Sequence, residues 1–215
     1  MLIYNYLYLQ GGIEDISPHL PELIPFLIKN LSNTNVRGKN PSQIHSLHYI
    51  YHFSIQAHVR CISCWTVSRF SGWIVAQCSN SEQGRTQFYE PVLRELLRRI
   101  LDRSCRVQEA ACSAFSTLEE RSSEKELVPY LSVILNHLTR ALRLYRNRNL
   151  RLLYDTIGTL AESVGSSLNE PNFIAVLMPP LISRWNGLED TDSDLFPLLG
   201  VCKKEGKNVN ENGYL

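Results

Sequence analysis

The feature that most constrains this chain is a recurrence. Helix-like segments begin at Val59, Val107, Leu150 and Leu195, at intervals of 48, 43 and 45 residues. Each follows a segment with an apolar cluster: Leu27-Ile28, Leu96-Leu97, Ile134-Leu135 and Leu181-Ile182. Within the segments, apolar residues step by three and four, the spacing of one helix face. Leu20, Leu23, Ile24, Leu27, Ile28 and Leu31 make one such face. Val107, Ala110, Ala111, Ala114, Phe115 and Leu118 make another, and Leu153, Ile157, Leu160 and Val164 a third. No strand-like alternation of any length interrupts them.

Helix pairs repeating at about 40–47 residues are the signature of HEAT or armadillo arrays. One pair cannot bury its own apolar face, but stacked pairs can, and they expose one row of second helices along the stack. The chain therefore reads as all-α, a HEAT-repeat α-solenoid of about four helical hairpins, the last incomplete. Residues 1–19 form a lead segment of uncertain type. The array occupies 20–199, with an irregular insert at about 34–57 that holds Gly38, Pro41 and several histidines. The tail 200–215 is polar and is expected to be disordered. Within the array, 79–87 reads as a loop and Asn147-Arg148-Asn149 as a turn. A helix over 172–187 is expected to bend at Pro179-Pro180. The last pair is cut in its second helix near Leu199, so uncovered apolar surface should lower stability or drive self-association.

The 215 residues are 44% hydrophobic and carry a net charge of +1. No overall field calls for nucleic acid or a membrane. Six cysteines sit mostly inside apolar helical patterns, which suits a reduced intracellular protein. Residues 1–9 lack both a basic leader and a long apolar run, and no later stretch is long and apolar enough to span a bilayer. There is no phosphate loop, GxSxG elbow or HExxH, so the sequence argues against an enzyme and implies no cofactor.

The segment 59–78 carries two stripes. Cys64, Val67, Phe70, Ile74 and Cys78 share one face, and Ile62, Trp65, Arg69 and Trp73 share another. One reading packs both tryptophans against neighbouring helices. The other leaves Ile62, Trp65 and Arg69 open to a partner. On the following second helices the corresponding free stripes are Glu109, Ser113, Ser116 and Glu120, then Asp155 and Glu162. That lining suits an extended basic peptide bearing an apolar or aromatic residue; it also suits a merely solvated face. Two other readings stay open. Arg94, Arg98, Arg99, Arg103, Arg106, Arg140, Arg143, Arg146, Arg148 and Arg151 form a basic series that could meet RNA phosphates. Cys61 and Cys64, with His58 and His52, could hold zinc, although both cysteines fall on one helix and only one CxxC is present.

Several ordered words resemble the transportins, importin-β-type nuclear import receptors built of HEAT repeats. They are Leu20-Pro-Glu-Leu-Ile-Pro25, Ile62-Ser-Cys-Trp65-Thr-Val-Ser-Arg69 and Arg106-Val-Gln-Glu-Ala-Ala-Cys-Ser-Ala-Phe115. Glu126-Leu-Val-Pro-Tyr-Leu131, Leu153-Tyr-Asp-Thr-Ile-Gly-Thr-Leu-Ala161, Leu177-Met-Pro-Pro-Leu-Ile182 and Asp194-Leu-Phe-Pro-Leu-Leu199 continue the set. The resemblance implies a cargo site for basic localisation signals ending in Pro-Tyr, and residence in both cytoplasm and nucleus. By position, Ile62, Trp65 and Arg69 resemble the contacts for the Pro-Tyr end, while Glu120, Asp155 and Glu162 resemble acidic contacts for the basic part. In the whole family the small GTPase Ran and nucleoporins are further partners. The Ran-binding arch, acidic loop and distal cargo site have no counterpart here, so the chain reads as an internal fragment of about four repeats.

Overall fold

The computed structural model describes residues 16–32 and 46–188, except the side chains of 46–55, 147 and 148. Eight helices of ten residues or more carry the architecture. They are α1 (Leu20–Ser32), α2 (Ser46–Arg69), α3 (Ser71–Asn80), α4 (Glu90–Ile100), α5 (Cys105–Arg121), α6 (Leu131–Leu144), α7 (Asn147–Val164) and α8 (Pro171–Trp185). No strand occurs among the described residues.

The helices pack in two layers. In the first, α1 packs on α4, α4 on α6 and α6 on α8. In the second, α2 packs on α5 and α5 on α7. Polar ties between α5 and α7 run at a nearly constant separation: Asn149 to the Cys105 carbonyl, Ser116 to Thr156, and Ser163 to the Glu119 carbonyl are 44, 40 and 44 residues apart. A constant separation along two helices means that they run parallel in register, as stacked repeats do. One continuous apolar core runs between the layers from Leu20 to Leu181. The fold is all-α and of the HEAT solenoid kind, with three helix pairs and the first helix of a fourth among the described residues. The expected second helix at Leu195–Leu199 lies outside them, as do 1–15 and 189–215.

Several boundaries differ from those expected. Residues 46–57 are not irregular; they are the first half of α2. No Gly or Pro falls between Ser46 and Phe70 to break that helix. Residues 33–45, with Pro41, lie outside the described part. The helix expected to run unbroken to Cys78 is interrupted at Phe70, whose φ and ψ are −105° and 11°. Just upstream, Thr66 Oγ1 donates to the Ile62 carbonyl and Ser68 Oγ to the Trp65 carbonyl, a competition that bends helices. Phe70 itself stays in the core.

The loop expected over 79–87 is mostly helical. Ser81 caps a turn at Glu82–Gly84 by accepting from Gly84 N at 2.9 Å, and a π-helical turn follows over Arg85–Tyr89. Asn147-Arg148-Asn149 opens α7 rather than turning the chain, the turn falling at Tyr145–Arg146. The start expected near Ser122-Ser123 is present as a capping box, in which Ser123 N donates to Glu126 Oε2 at 2.7 Å. The chain reaches α6 through that single turn and a 3-10 turn, Val128–Tyr130. Helix α8 runs through Pro179 and Pro180 without interruption.

The candidate peptide-binding face

The candidate site is the solvent side of the second layer. On α2 Cys64 and Val67 point inward and are buried, as is Phe70 at the break, and Ile74 and Cys78 continue the stripe on α3. The opposing stripe splits. Trp73 is half-buried and meets Phe88 edge-on, their ring centroids 5.0 Å apart. Trp65 is 43% exposed, Ile62 51% and Val59 39%. Packing therefore accounts for Trp73, while Val59, Ile62 and Trp65 form an open apolar strip with Arg69 exposed at its end. Val59 was not among the residues singled out, although its step of three to Ile62 gave the signal.

The acidic residues fall as the register dictates. Glu109 and Glu120 on α5, and Asp155 and Glu162 on α7, are all exposed. Glu120 and Glu162 are 42 residues apart, within the separations of the α5–α7 ties, so they stand at one level on adjacent parallel helices. Ser116 is less open, because its hydroxyl donates to Thr156 Oγ1 at 3.0 Å across the helix junction. The fields of Arg106 and Glu109 both reach the Cys61 thiol. The packing of α5 along α2 brings these charges near the strip.

Beneath this face lies a buried ionic cluster that sequence reasoning missed. Arg60 Nε and Nη2 donate to Asp102 Oδ2 and Oδ1 at 2.9 and 3.1 Å. Arg99 Nη1 donates to Asp102 Oδ2 at 2.8 Å, and Ser104 N to Oδ1 at 3.0 Å. The α4–α5 turn is thereby fastened to α2. The sequence reading gave Asp102 and Ser104 no role, and it placed Arg99 in the basic series. Arg99 is 7% exposed and committed to Asp102. Arg98 pairs with Glu95 at 2.6 Å. Arg94, Arg103, Arg106, Arg140, Arg143, Arg146 and Arg151 are exposed, and the Arg148 side chain is not described. The arginine series is thus broken by the cluster rather than continuous.

Glu119 and Glu120 diverge as adjacent helical residues must. Glu119 is fully buried and neither carboxyl oxygen has a hydrogen-bond partner. Burial first, and the charge of Glu120 second, hold its carboxyl well above the usual range.

The proposed zinc ligands do not converge. Cys64 is fully buried in the core, and burial pushes its thiol up to about 12. A ligand thiolate needs the opposite shift. Cys61 is half-buried, its thiol raised chiefly by burial, and His58 is exposed. The His52 side chain lies outside the described set. Among the described residues no group of three or more His, Cys, Asp or Glu side chains could hold a metal ion. The described cysteines, 61, 64, 78, 105 and 112, are free thiols.

Parallel helix pairs in constant register define a protein of the HEAT-repeat class. No family model matches the chain. Curated relatives do: it is 46% identical over 206 residues to Transportin-1 of Homo sapiens, covering 96% of this chain and 20% of that protein. It is 47% identical over 190 residues to Transportin-1 of Oryza sativa subsp. japonica, covering 88% and 19%. It is 39% identical over 189 residues to Importin subunit beta-2 of Schizosaccharomyces pombe, covering 88% and 18%. The chain belongs by sequence to the transportin, or importin subunit beta-2, family, and it spans about one fifth of the length of these relatives.

Proposed function

We propose that this chain is the cargo-binding portion of a transportin-type nuclear import receptor, shuttling between cytoplasm and nucleus. Its ligand is an extended basic signal ending in Pro-Tyr, laid across the solvent side of α2, α5 and α7. Ile62, Trp65 and Arg69 take the Pro-Tyr end, and Glu120, Asp155 and Glu162 the basic part. The observation that carries the reading is the open Trp65–Ile62 strip at the edge of an acidic face. A half-exposed Trp in an apolar strip is the composition of an interface anchor, worth about 2 kcal/mol or more when covered. Exposed carboxylates contribute less each, roughly 0.2–1 kcal/mol, and act more on association rate and sign preference. Nothing in this mode requires catalysis or a cofactor.

The test is fluorescence anisotropy of a labelled basic peptide ending in Pro-Tyr, with the wild-type chain and with Trp65→Ala. Binding should weaken at least tenfold in the variant, about 1.4 kcal/mol. Equal binding by both would reduce the contact to non-specific charge attraction. Absence of binding by a helical, folded wild-type chain would sink the reading outright.

A further inference from the structure

The arginines that the peptide face leaves unused gather at one end of the stack. Between Glu126 and Asp155 the chain carries five arginines, at 140, 143, 146, 148 and 151, with no Asp or Glu among them. Arg140 and Arg143 lie in the last turns of α6, and Arg146 is the residue before α7. All three are exposed, and among the described residues none of them forms an ion pair. Helix α8 packs beside α6 but offers no carboxylate, since Pro171–Trp185 contains none. Its own arginine is committed to backbone: Arg184 donates to the Leu142 carbonyl at 3.1 and 2.5 Å and to the Tyr145 carbonyl at 3.2 Å. The chain as a whole carries a net charge of only +1, so this end is a local basic edge without a counter-charge.

A cleft of about 700 Å³ opens beside that edge, lined by Arg143, Leu142, Leu150, Tyr154, Leu188 and other residues. Leu188 is also the last described residue, so the chain leaves the described part at a wall that it shares with Arg143. The next six residues read Glu189-Asp-Thr-Asp-Ser-Asp194, four of them carboxylates. The apolar Leu195-Phe-Pro-Leu-Leu199 follows and suits the apolar part of the lining. The array already fastens one turn with this chemistry. Asp102, in the turn after α4, accepts from Arg60 on the preceding second helix, 42 residues earlier. Residues 189–194 come after α8, and α7 is the second helix that precedes them. In the sequence Arg148, near the start of α7, precedes Asp190 by the same 42 residues.

We propose that the arginine edge of α6 and α7 is the docking surface for this chain's own acidic segment, 189–194, which straps the chain beyond Leu188 across the cleft. The two runs match in sign and nearly in number. Arginine's planar fork takes a carboxylate with two parallel hydrogen bonds, so carboxylates meet these side chains with good geometry. Six extended residues reach about 20 Å at most, more than the step of about 8–10 Å between neighbouring helices. The tether at Leu188 makes the pairing intramolecular, with an effective concentration in the millimolar range that a free acidic peptide has to exceed. RNA phosphates would use the same arginines, but Tyr145 and Tyr154 are buried here and give bases no platform. The strap is also separate from the peptide face, whose exposed carboxylates call for a ligand of the opposite sign.

Phenylglyoxal modification of arginines, mapped by mass spectrometry on the full chain, tests this. Arg94 and Arg121 are the references, both exposed and outside the edge. In low salt Arg143 and Arg146 should react at least about threefold more slowly than the references, the scale of exposed ion pairs acting together. Salt near 1 M should remove the difference, because screening acts on exposed pairs; this arm needs no variant. The combined variant Glu189→Gln, Asp190→Asn, Asp192→Asn and Asp194→Asn should remove it in low salt too, with helical circular dichroism unchanged. Wild-type rates equal to the references in low salt overturn the proposal, because the edge is then open. Protection that survives in the variant overturns it as well. Protection that grows with protein concentration would assign the edge to a second copy, and protection that appears only on adding a uridine homopolymer would assign it to RNA; either result overturns the strap.

Discussion

Replacing Asp102 with Asn keeps the shape of the side chain and removes its charge. The carboxylate receives four hydrogen bonds, two from Arg60, one from Arg99 and one from Ser104 N. Its side chain and those of both arginines are less than a tenth exposed. Asn offers one acceptor oxygen, and its amide group turns a donor toward guanidinium donors. Two buried cations then lack a counter-charge. Breaking a buried pair by removing one partner costs about 3–5 kcal/mol, and two arginines place Asp102→Asn in the upper part of that range. Domains hold about 5–15 kcal/mol in all, so the loss is a large share. At a urea slope of about 2 kcal/mol per molar, the midpoint should fall by roughly 2 M. Because repeat arrays can unfold in parts, helical circular dichroism and tryptophan fluorescence should be followed separately. A change below about 1 kcal/mol by both probes would mean that water reaches the arginines, and the cluster would rank with surface pairs. Replacing all three residues by apolar ones of similar volume should cost much less than Asp102→Asn alone.

Two further perturbations follow from buried groups. The raised Glu119 carboxyl keeps its proton in the fold, while the unfolded chain releases it above about pH 4.3. Its contribution is therefore full below that pH and is lost as pH rises toward the folded value. Glu119→Gln has no proton to release, so it should gain stability over the wild type between about pH 4.3 and neutrality; a pH-independent difference in urea midpoints would refute the assignment. At Gly84 an added Cβ would lie 2.3 Å from the Gln77 carbonyl oxygen, a backbone atom that cannot swing aside. Gly84→Ala should cost about 1–3 kcal/mol, and an unchanged urea midpoint would show that the turn relaxes freely.

The repeat period was legible because stacking demands it: each helix pair must present matched apolar faces, and those faces are written at steps of three and four. The start of α2 at Ser46 was not, since residues 46–57 carry no sustained apolar period and the nearby Gly38 and Pro41 suggested a break. The interruption at Phe70 depends on hydroxyls competing for backbone carbonyls, which composition alone does not reveal. The exposure of Glu120, Asp155 and Glu162 could be read in advance, because opposing stripes on one helix cannot both be buried by the same core; that of Ile62, Trp65 and Arg69 was one of two open readings. Trp65 and Trp73 shared a stripe on paper, and only the break at Phe70 and the ring of Phe88 separate them. Arg99 was misread because a row of arginines looks alike in sequence. The Asp three residues later, where an i,i+3 pair forms, was the available clue.

The parallel register of α5 and α7 acts as a ruler. Neighbouring helix axes in packed proteins lie 8–10 Å apart, and an extended peptide advances about 3.3 Å per residue. A strand laid across the second layer thus passes from one helix to the next every three residues or so. Glu120 and Glu162 stand at the same height on successive helices, so they sample such a strand at that interval. Under the proposed function, that face measures the spacing between positive charges as well as their number, and two peptides of identical composition but different spacing should be told apart in the anisotropy assay.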